Sequence, residues 1–159
     1  MQVRSAGEAL FIACEMEKRA IRLYERALAI FADSSCREAV RAILTDERHH
    51  LARFSEMGGE TPGFERARLL SAQATSMLFS GGLMEAQRKG AFESVLRLYQ
   101  YAADEERNAA ARYGEFADQL EGAASAAFRQ IELEETGHLM KLNEMIRALS
   151  GQTEGGAEE

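Results

Sequence analysis

Two of the three histidines in this chain stand in the same short pattern, Glu47-x-x-His50 and Glu135-x-x-His138. Residues three apart share a helix face, with Cβ atoms roughly 5–6 Å apart, so each pair can put a carboxylate and an imidazole on one metal ion or reach toward a second. Two further acids, Glu17 and Glu106, interrupt apolar stripes of helical period: Leu10, Cys14, Ile21, Tyr24, Leu28, Phe31 around the first, and Tyr99, Ala103, Ala110, Tyr113, Ala117, Leu120 around the second. The Glu-x-x-His pairs interrupt two more stripes, Val40, Ile43, Phe54, Met57 and Phe128, Ile131, Leu142, Met145, Leu149. Four glutamates are thereby predicted to point into a core. Burying them unpaired would cost several kcal/mol each, against a net stability of about 5–15 kcal/mol for a whole domain. Two divalent cations would neutralise all four, which makes Glu17, Glu47, His50, Glu106, Glu135 and His138 a candidate binuclear ligand set. Mixed glutamate and histidine ligation suits iron, with manganese as the close competitor.

Four long helices must carry these residues. Ser5 with Glu8 matches a capping box that opens the first, and Ser35 with Glu38 matches a second. Gly58-Gly59 ends helix two, Gly122 separates helices three and four, and Gly151 is expected to stop the last, leaving 151–159 as a disordered polar tail behind a single domain over 1–150. Between Gly58 and about Ala91 the chain carries Thr61-Pro62-Gly63 and Gly81-Gly82, with one short helix expected through Phe64, Ala67, Leu70 and Met77. Two short connections flanking one long crossover, between helices two and three, is the connectivity of ferritin-like bundles. The expected fold is all-α, a four-helix bundle of that topology.

The halves of the sequence echo one another. Glu17, Ala20 and Tyr24 have the offsets of Glu106, Ala109 and Tyr113, and the next ligand glutamate follows after thirty residues in the first half and twenty-nine in the second. This reads as an internal duplication with pseudo-twofold symmetry around the site. Tyr24 and Tyr113 are placed to hydrogen-bond ligand carboxylates.

Composition bounds the partners. With 159 residues, one proline, 46% hydrophobic residues and a net charge of −7, the chain suits one helical domain and offers no basic surface for nucleic acid or anionic membrane. No apolar run is long enough for a membrane span. Without a signal-peptide pattern or a C-x-x-C pair, a reducing cytoplasm is expected. The remaining candidates read as ordinary. His49, Glu15, Glu105, Glu132 and Glu134 are expected on solvated faces, Cys14 as a small buried residue, Cys36 as incidental, and Met57, Met140 and Met145 as core filling.

Met16-Glu17 with Ala20 and Tyr24, Glu47-Arg48-His49-His50, and the matching Glu106…Tyr113 and Glu135-Thr136-Gly137-His138 resemble a rubrerythrin-type ferritin-like domain over nearly the whole chain. The resemblance implies a di-iron carboxylate enzyme that reduces hydrogen peroxide or dioxygen, or a ferroxidase relative, assembled as a homodimer or larger. In this reading Glu47 and Glu135 bridge the metals, while the other four residues hold one metal or the other. Two positions depart from the family. Its rubredoxin module, with paired C-x-x-C motifs, has no counterpart here, so electrons would come from another protein. A further family glutamate is replaced by Ala109, so a six-ligand core is expected. A metal-stabilised helical scaffold without redox turnover is the non-enzymatic alternative.

Overall fold

The computed structural model describes residues 2–32, 34, 36–59, 62–77 and 82–154, and among them every regular element is a helix. The order is α1 (Ala6–Ile30), α2 (Arg37–Met57), α3 (Phe64–Met77), α4 (Gly82–Arg88), α5 (Val95–Gln119) and α6 (Gly122–Glu154).

Local chemistry sets most of the ends. Ser5 Oγ accepts the Glu8 N–H at 3.2 Å and opens α1, while Glu8 turns its carboxylate to the Arg4 N–H at 2.9 Å. Ser94 repeats the first of these contacts for α5 by accepting from the Arg97 N–H. The expected Ser35 cap lies outside the described residues; the cap position of α2 is Cys36, whose side chain makes no capping bond. Gly58 closes α2 and Gly122 opens α6, both at φ 63°, where a Cβ would be strained. Gly151 does not stop the last helix. It keeps a negative φ and α6 runs on to Glu154, because an interior glycine costs only about 1 kcal/mol. The connection after α2 holds two short helices where the sequence suggested one: α4, seven residues long, begins at Gly82, the second glycine of the pair.

Contacts along the helices fix their directions. Cys14 approaches Ser55 and Glu25 pairs with Arg48, so α1 and α2 are antiparallel. Ser125 reaches the Ala117 carbonyl while His138 lies near Glu106, so α5 and α6 are antiparallel too. Arg53 to Gln130 and Asp46 to His138 orient α2 against α6. Helices α2 and α5 therefore run the same way, and the chain between them must return along the molecule.

That return is fastened to α1. Arg66 of α3 forms two parallel hydrogen bonds, 2.7 and 2.8 Å, to the buried Glu8 carboxylate, and Leu70 is fully buried beside them. A side chain so buried contributes about 1.5–3 kcal/mol, so this one residue does much to dock α3. Phe54, Tyr113, Phe116 and Phe128 form an aromatic cluster with ring centroids 4.9–5.8 Å apart, within van der Waals reach of one another from α2, α5 and α6.

Candidate metal centre

Four helices each deliver what the seams predicted. Glu17, Glu47, His50, Glu106, Glu135 and His138 are all buried, between 1% and 7% exposed. They converge as two overlapping groups: Glu17, Glu47, His50 and Glu135 in one, and Glu47, Glu106, Glu135 and His138 in the other, each with one ligand atom per residue and all such atoms within 4.8 Å. Glu47 and Glu135 belong to both. Each group has three carboxylates and one imidazole, a hard-oxygen and nitrogen set able to hold a metal ion.

The two tyrosines exchange halves. Tyr24 of α1 donates its hydroxyl to Glu106 of α5, and Tyr113 of α5 donates to Glu17 of α1 at 2.5 Å. Burial, aided by the facing carboxylates, raises both phenols well above their ordinary pKa, so both hold their protons and act as donors.

The histidines follow the same exchange. His50 Nε2 lies 2.8 Å from Glu134 Oε2, and His138 Nε2 lies 3.2 Å from Asp46 Oδ2. Each imidazole is thus held by the acid that precedes the other helix's ligand glutamate. A carboxylate only accepts, so each Nε2 carries a proton and each Nδ1 faces the cluster, where that of His138 also donates to Glu135 while no metal is bound. His50 Nδ1 is 3.2 Å from Glu135 and 3.9 Å from Glu17. His138 Nδ1 is 3.1 Å from Glu135, 3.2 Å from Glu47 and 3.5 Å from Glu106.

Without a cation this arrangement is electrostatically costly. Two carboxylates 4 Å apart repel by about 4 kcal/mol at an effective dielectric of 20, and the pKa directions show how protons relieve it. Burial, with the neighbouring Glu135 and Glu106 charges, pushes Glu47 up to about 8. Burial together with Glu47 raises Glu17, and burial together with Glu106 raises Glu135. Burial alone would raise Glu106 as well, but hydrogen bonds, foremost from His138, hold it down. Burial opposes charge on His138, yet the facing carboxylates raise it overall. Two buried atoms, Glu47 Oε1 and His50 Nδ1, make no hydrogen bond even though opposite partners lie near. Orphaned buried acceptors aimed at a shared space are what a metal would satisfy, so the residues present fit one.

Several residues expected to be bland are not. Glu134 remains partly exposed, as does Asp46, which the sequence did not single out, but both orient the imidazoles. Glu105, expected on a solvated face, is only 7% exposed, and burial pushes its pKa up to about 8. Tyr101 and Ala102 on its own helix are buried with it, as is Ala86 of α4. Leu98, Ala102, Glu105 and Ala109 form a second helical stripe that could have revealed this in the sequence. Met140, expected in the core, is exposed. Cys14 is half-buried and Cys36 buried, and neither joins a ligand group. His49 is exposed, as expected.

No protein-family model matches the chain, and comparisons with curated proteins and with solved structures returned no match. Among the described residues no helix is long and apolar enough to cross a membrane.

Proposed function

We propose that this chain is a ferritin-like four-helix bundle, with α3 and α4 in its long crossover, and that it works as a rubrerythrin-type non-haem di-iron oxidoreductase. The observation that carries the reading is the pair of four-residue groups sharing Glu47 and Glu135, the pattern a binuclear carboxylate site requires. The same-direction run of α2 and α5 supports the topology.

In this reading Glu17 and His50 would hold one metal, Glu106 and His138 the other, and Glu47 and Glu135, members of both groups, would be shared between them. Two bound iron ions would supply the electrons that reduce hydrogen peroxide, or dioxygen, and an external donor protein would restore them. The chain's own residues fix the setting. Tyr24 and Tyr113 restrain the terminal carboxylates, and Asp46 and Glu134 hold both rings with Nδ1 inward. A cavity of about 10 Å³ lies among Glu17, Glu47, Glu106 and Glu135, walled by Ala20 and Ala109, enough for about one water-sized group. A longer side chain in place of Ala109 would fill it. Reduction of hydrogen peroxide consumes two electrons and two protons and yields two waters, and the titratable carboxylates around that cavity are the nearest proton carriers.

Metal analysis of protein purified without added metal, followed by anaerobic ferrous titration, tests the reading. About two irons bound per chain, rapid reoxidation by hydrogen peroxide and turnover with an artificial electron donor are expected. Consumption of ferrous iron well beyond two equivalents would make the protein an iron-handling ferroxidase. Persistent absence of stoichiometric metal would overturn the site.

A further inference from the structure

A second, larger hollow lies one turn along the bundle from the ligand groups. This cleft of about 160 Å³ opens between the start of α1 and the end of α2, lined by Leu10, Phe11, Cys14, Phe54, Ser55 and Pro62 together with three glycines. Cys14 precedes Glu17 by three residues and Phe54 follows His50 by four, so at 1.5 Å per residue the floor of the cleft stands about 4.5–6 Å from the level of the ligands. Phe54 is buried, and its ring packs against that of Tyr113 with centroids 5.4 Å apart. Tyr113 in turn lines the 10 Å³ cavity among the ligand glutamates and donates to Glu17. One pair of aromatic rings therefore links the cleft to the site.

For a chain with 28% charged residues the lining is markedly apolar. None of the described residues that form it is charged, and its two polar side chains are engaged with the protein. Ser55 donates its hydroxyl to the Leu51 carbonyl at 2.7 Å. Cys14 Sγ lies 3.8 Å from Ser55 Oγ, so the thiol is the group left to donate in that contact. Burial raises the Cys14 thiol above its ordinary pKa and keeps it uncharged.

We infer that this cleft is the place where dioxygen, rather than hydrogen peroxide, enters and is held on its way to the ligand groups. The inference rests on the redox reading of the site and names the oxidant that this route favours. Size limits what can travel it, since a cavity of about 10 Å³ at its end has room for about one water-sized group and admits only a molecule of that order. Polarity then separates the two oxidants. Peroxide carries two O–H donors, and in the cleft it would exchange water for a hydroxyl and a thiol that already bond each other, a transfer that costs free energy unless new hydrogen bonds form. Dioxygen has no such bonds to lose, and apolar hollows of this size take up small apolar molecules such as xenon.

Proton NMR of the full-length chain, with diamagnetic zinc in place of any paramagnetic metal, reads the binding directly when dissolved dioxygen is the paramagnetic probe. Relaxation should rise most at the Leu10 methyls and the Phe11 and Phe54 rings. It should rise less at Leu98 and Leu142, which are fully buried, and at Leu133, which faces solvent. Ser55→Phe, at an exposed position on the rim, should fill the cleft and remove that excess with helicity unchanged. In the ferrous protein the same variant should lower the ratio of the dioxygen to the peroxide reoxidation rate about tenfold. The wild-type relaxation measurement needs neither iron nor a folded variant, so it decides the inference separately from the ferrous titration, whose failure would overturn the proposed activity alone. Leu10 relaxing no faster than Leu98, or a folded Ser55→Phe chain with an unchanged rate ratio, would overturn the inference.

Discussion

The Tyr113 hydroxyl on α5 lies 2.5 Å from the Glu17 carboxylate on α1, so the first candidate ligand is restrained by the second half of the chain. Tyr24 does the same for Glu106 in the opposite sense. Each bond ties α1 to α5 at the level of the site. Tyr113→Phe removes a donor from a buried carboxylate, which costs about 1–3 kcal/mol where the acceptor is left unsatisfied. Urea unfolding of the metal-free protein should show that loss, and ferrous titration should show affinity lower by about 10–100-fold. Tyr24→Phe should match it, given the exchange symmetry. Full affinity in both variants would exclude the restraining role.

Glu47 and Glu135 belong to both ligand groups, while Glu17 and Glu106 belong to one each. This gives a stoichiometric contrast. Glu17→Ala and Glu106→Ala should each retain about one metal per chain, because the other group stays whole. Glu47→Ala should prevent binuclear loading. Elemental analysis after anaerobic loading reads the difference, and two metals per chain in Glu47→Ala would exclude its bridging place.

Much of this centre is legible in the sequence because a glutamate on an apolar seam has only one place to point. What was not legible follows from geometry between helices. Asp46 and Glu134 sit one residue before ligand glutamates, at positions that helical periodicity assigns to solvent, and their role emerges only when α2 and α6 lie side by side. The exchange of Tyr24 and Tyr113 between halves depends in the same way on the packing of α1 against α5. Glu105 was misread because α5 meets α4 through Tyr101 and Ala86, and α4, a seven-residue helix bounded by glycines, left too short a periodic signal. Met140 was misread from residue type alone, since methionine usually fills cores.

The metal-free protein should be most stable in weak acid. The Arg66 guanidinium, hydrogen-bonded to Glu8, lowers that carboxyl from its ordinary 4.5 to about 2. Its contribution is complete above about 4.5 and is lost as pH falls toward 2. Glu47 works the other way, raised to about 8 by burial and by the Glu135 and Glu106 charges. Between 4.5 and 8 the folded state keeps a proton that the unfolded chain has released, so stability falls as pH rises. Thermal melts of the metal-free chain should therefore peak near pH 5. Bound divalent metal displaces that proton, so the stabilisation by added ferrous or manganous ion should grow from pH 5.5 to pH 8. A metal-free melt higher at pH 8 than at pH 5 would contradict this account.

Asp46 and Glu134 offer the sharpest test of how the rings are held. Each accepts from the Nε2 side of a histidine whose Nδ1 faces the carboxylates, and each is partly exposed, so its removal leaves no buried charge behind. Stability should change little on substitution, within about 0.5 kcal/mol as for most surface sites. Metal affinity should not be spared. Without its acceptor an imidazole loses the bond that fixes both its tautomer and its ring orientation, an effect worth about 10–100-fold. Asp46→Ala should weaken the group containing His138 and leave the His50 group near its original affinity, and Glu134→Ala should do the reverse. Anaerobic ferrous titration would resolve two unequal binding steps in each variant, and proton-detected NMR of labelled histidine would show the altered tautomer in only one ring. Equal weakening of both steps by either substitution would mean that the two acids act through the fold as a whole and not through the ring each one touches.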